Sequence, residues 1–354
     1  MTNFASDNVS GVCPEIMAAL ARANAGTAPA YGDDEITRRL GARVAEVFEH
    51  EVAVFPLATG SAANALVLTA LVPRYGAVYC HREAHINADE CGAPEFFTGG
   101  AKLVALEGPH AKITPQSVSQ AAFGRGIVHH VQPAAVSITQ ASEKGTVYTA
   151  REVTALAEVA RGQGMVLHMD GARFANALVH LGCSPAEITW KAGVDVLTLG
   201  ATKNGALAAE AAIFFDPHRA REFPYLRKRG GHLFSKQRYL SAQLEAYLTD
   251  DLWLNNARLA NTQATRLGQG LAALPGAKLA APVQANEVFC ELPRAAVEGR
   301  RAAGYLFHIW RDKKNPLCRF VTSFATEAAA VDALLAEAIR HAGPAAAGGR
   351  GAAG

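Results

Sequence analysis

No CxxC pair occurs among the six cysteines (Cys13, Cys80, Cys91, Cys183, Cys290 and Cys318), which are scattered along the chain. That spacing argues against a redox motif or zinc ribbon and predicts a reduced compartment. No apolar run approaches the roughly 20 residues of a membrane-spanning helix. The opening MTNFASDNVSG lacks both the basic and the apolar region of a signal peptide, so the expectation is a cytoplasmic protein without a membrane partner. Charge is nearly balanced, with 34 basic and 32 acidic residues and no basic tract, which excludes a nucleic-acid footprint as an expectation. Neither GxGxxG nor a Walker loop follows the early apolar runs, which counts against a dinucleotide or nucleotide triphosphate site.

What is present is an ordinary globular composition, 50% hydrophobic over 354 residues, enough for a large core and a smaller second one. Short apolar runs at 52–55, 77–80, 102–105, 134–139, 165–169, 195–199 and 211–215 alternate with helical patterns at 61–71, 150–162 and 174–181. Such alternation predicts an α/β architecture, a mainly parallel sheet sandwiched by helices. Past residue 231 the pattern changes to long helical periodicity at 235–248 and 251–274, followed by strands at 287–292 and 319–324 and helices at 295–304 and 326–341. The predicted organisation is an N-terminal arm (1–25), a large domain (26–248) and a small α/β C-terminal domain (249–342) that includes a connector helix. The last stretch, GPAAAGGRGAAG (343–354), has no apolar periodicity and is expected to be disordered.

Four segments carry chemistry. In VLTLGATKNG (196–205) an apolar strand runs into a polar turn bearing Lys203, flanked by Thr202. The carboxyl edge of an α/β sheet is where ligands bind, and partial burial there favours a neutral, nucleophilic amine. Taken alone, a lysine after a strand is more often an ordinary solvated residue. In VLHMDGARFA (166–175) a second strand ends at Asp170, with Arg173 three residues on. An aspartate there can pair with a pyridinium nitrogen: at 4 Å and an effective dielectric of 20 the pair is worth roughly 4 kcal/mol, or about three pKa units. Its plain alternative is an Asp-Gly turn with Arg173 capping the next helix.

The third segment, PLATGSAANALVL (56–68), places Gly60 and Ser61 at a helix start, a weak pattern that is more often only structural than an anion site. In the fourth, CHREAHINADECG (80–92), His81 and His85 stand with Cys80, Asp89, Glu90 and Cys91. The HExxH order is missing and no further ligand group suggests itself, so no metal is expected. One imidazole, preferably His85, is the candidate for stacking on a cofactor ring or carrying a proton, against the alternative of two solvated loop histidines.

In this order the segments resemble the threonine aldolase family of fold-type I pyridoxal-phosphate enzymes, closest to its low-specificity L-threonine aldolase branch. The resemblance runs from SDNVSG at Ser6 through AYGDDE, TGSAAN, AHINADECGA, HMDGARFANAL, TWKAGVDVLTLGATKNG and KRGGHLFSKQRYLSAQ to RFVTSF at Arg319. It implies pyridoxal 5'-phosphate carried on Lys203 as a Schiff base and an amino-acid substrate. Asp170 becomes the partner of the pyridine nitrogen, His85 the stacking imidazole, Gly60 and Ser61 the phosphate cradle, and Thr202 a further cofactor neighbour. Arg173 is implied near the ring oxygen and the substrate carboxylate, Ser6 and Arg319 at that carboxylate, and one of Arg227, Lys228 and Arg229 near the phosphate. The Tyr31-Gly32-Asp33-Asp34 segment resembles parts that complete active sites in family dimers and tetramers, so a homo-oligomer with shared sites, such as a homotetramer, is expected. The implied reaction is retro-aldol cleavage of threonine or allo-threonine to glycine and an aldehyde, with a phenylserine-preferring aldolase or a β-eliminating lyase as alternatives. One departure stands out: many family members carry Thr-His before a GTV-like turn, whereas this chain reads SITQASEKGTVY, making Gln140 or Glu143 the replacement candidates. His129 and His130, inside the apolar IVHHV run, are expected to be structural.

Overall fold

A computed structural model describes residues 2–341, which fold around two sheets. Seven strands form the first: β1 Ala53–Leu57, β2 Gly76–His81, β3 Lys102–Leu106, β4 Gln132–Thr139, β5 Val166–Gly171, β6 Val196–Gly200 and β7 Glu210–Phe214, in the order β1-β7-β6-β5-β4-β2-β3. Strands β3, β2, β4, β5 and β6 are mutually parallel, while β7 runs antiparallel to both β6 and β1. The reversal has a simple cause. Only residues 201–209 join β6 to β7, too short for the dozen or more residues of a parallel crossover. Every residue of β2, β5, β6 and β7 is buried, as expected of strands covered on both faces.

The second sheet comprises β8 Lys278–Leu279, β9 Glu287–Glu291, β10 His308–Arg311 and β11 Leu317–Val321, ordered β10-β11-β9-β8 and antiparallel throughout. Its own core gathers Leu267, Val288, Phe320 and Leu334. The helix Leu252–Ala272 serves both cores: Trp253 and Ala257 pack into the large one, Ala264, Leu267 and Leu271 into the small one. The N-terminal segment joins the small sheet, with the Phe4 side chain in its core and Val321 N–H donating to Phe4 O at 2.8 Å.

Several elements differ from the sequence reading. Helices Pro14–Ala23 and Glu35–Phe48 were not expected, although Leu40, Val44 and Phe48 make a buried stripe at i, i+4, i+8 and Asp34 caps the second helix through Thr37 N–H. The predicted 235–248 helix is shorter, Arg238–Tyr247. The apolar run 127–131, expected to hold His129 and His130 in a structural role, is instead a surface turn with Val128 92% exposed. Gly124 and Gly126, both at positive φ, turn the chain outward there. The expectation for 343–354 lies outside the described residues.

Candidate active site

Because β1, β2, β4, β5 and β6 point the same way, their carboxyl ends converge on one edge of the large sheet, beside a cavity of about 370 Å³. Lys203, Asp170, His85, Gly60, Ser61, Thr202 and Arg173 all line it. A larger groove of about 1000 Å³ between surface helices carries no such convergence of reactive groups, so chemistry rather than size selects the site.

Lys203 sits half-buried in the short turn Thr202–Asn204 that follows β6. The turn is clamped on both sides: Asn204 Nδ2 donates to Tyr247 Oη at 2.9 Å and Trp253 O at 2.8 Å, and Thr202 Oγ1 donates to Glu210 Oε1 at 2.6 Å. Gly205 follows at φ +117°, where a Cβ would also come within 2.8 Å of Asn256 Nδ2. Burial pushes the Glu210 carboxyl up to about 7, against the Thr202 hydrogen bond and the Lys203 charge.

Asp170, 4% exposed at the end of β5, has both oxygens engaged: Oδ1 accepts from Ala172 N–H at 3.0 Å and Oδ2 from Asn64 Nδ2 at 2.8 Å. Two residues earlier, fully buried His168 lies between Ser137 Oγ and Thr198 Oγ1; burial takes its pKa down to about 4, so it is a neutral structural imidazole. Asn64 Nδ2 also donates to Glu90 Oε1 at 2.9 Å, and that oxygen meets His85 Nδ1 at 2.8 Å. The Glu90 bond raises the His85 pKa against its partial burial.

The helix Gly60–Leu71 points its first turn at the cavity, capped by Thr59 Oγ1, which accepts from Ala62 N–H at 3.3 Å. Its dipole and unpaired first-turn amides favour an anion there. Beyond its chain neighbours and its own helix backbone, no atom of the described residues lies within 4 Å of a Cβ built on Gly60.

The guanidinium of Arg173 is held by Asp7 at 2.8 and 3.0 Å and approaches Glu287 at 3.5 Å. Burial works against its charge, and the two carboxylates more than offset that, leaving the pKa raised. Arg319, Ser6 and Tyr31 do not line the cavity. Arg319 is close by: its Nη2 donates to Ala5 O at 3.2 Å, its Nη1 lies 3.9 Å from Glu287, and its Nε is buried without a partner. Ser6 caps the turn Asp7–Val9 through Asn8 N–H, and Asn8 reaches the cavity in its place. Tyr31 stands on an outer turn at φ +59°, 50% exposed beneath Lys228 Nζ at 4.8 Å. None of Arg227, Lys228 and Arg229 lines the cavity; Arg227 is buried and its pKa is lowered by desolvation to about 10.

Of the two replacement candidates in SITQASEKGTVY, Gln140 is fully buried and bonds both ways to the Tyr148 backbone, whereas Glu143 lines the cavity. Asn64, Glu90, Glu210 and Asp7 were missed as site residues. Asn64 left one signal, an amide inside the apolar run ANALVL one turn beyond Gly60. Among the described residues no cluster of three or more His, Cys, Asp or Glu is placed to hold a metal ion.

A family model described as beta-eliminating lyase matches residues 3–294. The low specificity L-threonine aldolase of Pseudomonas aeruginosa is 46% identical over 324 residues, 92% of this chain and 93% of that one. Its counterpart from a Pseudomonas species is 44% identical over 334 residues, covering 94% and 96%. A solved structure of Leishmania major threonine aldolase superposes with a TM-score of 0.91 at 26% identity, covering 97% of this chain and all of the other. The chain belongs to the beta-eliminating lyase family and, within it, stands with the low specificity L-threonine aldolases.

Proposed function

We propose that the chain is a pyridoxal-phosphate-dependent carbon–carbon lyase that cleaves L-threonine, L-allo-threonine and related β-hydroxy-α-amino acids to glycine and an aldehyde. The observation that carries this reading is the convergence of Lys203, Asp170 and the first turn of the helix Gly60–Leu71 on one cavity. An amine, a buried carboxylate and an anion-binding helix start are the three contacts that an aldehyde-bearing pyridine phosphate needs. When bound, the cofactor supplies the electron sink for Cα–Cβ cleavage.

The chain's own residues do the rest. Lys203 would hold the cofactor through its amine. Asp170, fixed at both oxygens, would pair with the ring nitrogen. His85 would lie against the ring, and Gly60, Ser61 and Thr202 would hold the phosphate. The buried, unpartnered Nε supports Arg319 as the carboxylate-binding residue, with Ser6 and Arg173 beside it. Tyr31, exposed on its own subunit, fits a role in a neighbouring active site of a homodimer or homotetramer. Two sheets with separate cores support the division into a large domain (26–248) and a small domain (249–342), while the proposed arm (1–25) adds Phe4 to the small core and Ile16 to the large one. A cytoplasmic location is part of the same reading; no helix among the described residues is long and apolar enough to cross a membrane.

Product analysis across threonine, allo-threonine, serine and phenylserine tests the reaction. Acetaldehyde with equimolar glycine from threonine is the expected outcome. Pyruvate and ammonia from serine with no aldehyde from threonine would replace it with β-elimination, and benzaldehyde as the only efficient product would make it a phenylserine aldolase. The cofactor-loaded protein should absorb above about 400 nm, and Lys203→Ala should lose that band.

A further inference from the structure

Resting on the retro-aldol reading, we propose that Glu143 is the acid–base residue at the substrate's β-hydroxyl, taking its proton on Oε2. Of the three carboxyls lining the cavity (Asp170, Glu210 and Glu143), Glu143 alone keeps a buried oxygen without a hydrogen-bond partner. Its Oε1 is already committed, accepting from Thr139 Oγ1 at 2.8 Å and from His85 N–H at 2.9 Å. A carboxylate has room for roughly four hydrogen bonds, about two per oxygen. With Oε1 occupied by donors, an added proton goes to Oε2.

The turn bearing Glu143 gives it little freedom. Gln140 is bonded both ways to Tyr148, Ser142 N–H donates to Thr146 O at 2.8 Å, and Ser142 Oγ donates to His110 O at 2.9 Å. Gly145 closes the turn at φ +69°, where a Cβ would also lie 3.0 Å from Glu287 Cβ. The ionisable groups coupled to Glu143 are Asp170 on β5, Arg173 beyond it, Cys80 on β2 and Tyr148 after the turn. Burial pushes the carboxyl up to about 7, with Thr139 opposing and Asp170 reinforcing the rise. Both protonation states are therefore available near neutrality, where a group can serve cleavage and its reverse.

In cleavage, the hydroxyl proton moves to Glu143 Oε2 and the O–H electron pair becomes the second bond of the aldehyde carbonyl. The Cα–Cβ bond breaks and its pair stays with the amino-acid fragment, for which the cofactor, when bound, would supply the electron sink. Glu143 returns its proton to solvent, and Cα takes one from solvent, so one substrate gives one aldehyde and one glycine.

The test uses Glu143→Gln, whose Oε1 can still accept from Thr139 and His85, and Glu143→Asp. In the full chain without cofactor, ¹³C NMR of labelled glutamate should show two carboxyls titrating near 7, those of Glu143 and Glu210, of which one disappears in Glu143→Gln. In the loaded enzyme, Glu143→Gln should slow aldehyde release by about 10²- to 10⁴-fold and remove the pH limb near neutrality, with partial recovery in Glu143→Asp. Exchange of the glycine α-proton in D₂O, which involves no β-hydroxyl, should stay within about twofold of the parent. Unchanged aldehyde release in Glu143→Gln overturns the proposal, as does a parallel loss of glycine exchange, which would mark a merely structural role. A parent enzyme that exchanges glycine but releases no aldehyde overturns the retro-aldol reading itself, a different result from either.

Discussion

Asn64 Nδ2 lies 2.8 Å from Asp170 Oδ2, one helical turn beyond Gly60 on the helix whose first residues face the same cavity. One rigid element thus sets the anion-binding end of the site and orients the carboxylate at its other end. The same amide reaches Glu90 Oε1 at 2.9 Å, so Asp170, Asn64, Glu90 and His85 form one connected line of hydrogen bonds.

Replacing Asn64 by leucine removes the only side-chain donor to Asp170 among the described residues and leaves Glu90 with His85 alone. A hydrogen bond to a charged group is worth roughly 1.5–3 kcal/mol, so cofactor affinity should fall about 10- to 100-fold. Spectrophotometric titration of the cofactor-free protein measures this, and an unchanged Kd would show that Asp170 needs no help from the helix.

Gly60 separates the fold from the ligand. A Cβ there meets no atom of the described residues within 4 Å beyond its chain neighbours and its own helix backbone, so Gly60→Ala should keep the parent Tm or gain up to about 1 kcal/mol from helix propensity. If the amides of this turn cradle the phosphate, the methyl group obstructs that approach alone. Affinity for pyridoxal phosphate should drop while affinity for pyridoxal, which lacks the phosphate, stays put. Equal losses for both compounds would rule out the cradle.

How much of this was legible beforehand depends on whether the signal was local. Lys203, Asp170 and Gly60 each stand where an apolar run gives way to a polar turn, and the helix Ala150–Gly162 carries its capping box in sequence as Thr149 and Glu152. The helix Glu35–Phe48 was missed because Gly41 interrupts a polar, arginine-rich stretch whose apolar stripe is narrow. Arg173 illustrates the larger gap. Its partner Asp7 is 166 positions away, and no spacing rule predicts which distant carboxylates converge on it. The fate of Gln140 and Glu143, one folded inward and one facing the cavity, likewise follows from the turn's tertiary bonds rather than from residue type.

Glu210 predicts a pH-dependent stability. Burial raises its folded-state pKa to about 7 from an ordinary 4.5, so between those values the native state binds more protons than the unfolded one. Stability from this group is fully present below pH 4.5 and is lost as pH rises through about 7, a difference of roughly 3 kcal/mol. Glu210→Gln keeps an acceptor for Thr202 and cannot ionise. Thermal unfolding of the cofactor-free proteins should give matching Tm values near pH 4.5 and a Tm a few degrees higher for the variant at pH 8. A variant no more stable than the parent at pH 8 would contradict the buried-carboxyl account.

Tyr31 sits half-exposed on its own subunit and outside the cavity lined by Lys203. If it completes a neighbour's site, Tyr31→Ala and Lys203→Ala damage different subunits of the same active site. Each variant alone should be impaired, the first with an intact Tm, because Tyr31 buries little. Mixed and re-equilibrated in equal amounts, they form hybrids in which one site draws its lysine from one chain and its tyrosine from the other, both intact. Random pairing makes half the dimers hybrid, each with one of its two sites restored, so activity should recover to about a quarter of the parent value. Recovery no greater than the sum of the separate variants would confine Tyr31 to its own subunit and remove the argument for shared sites.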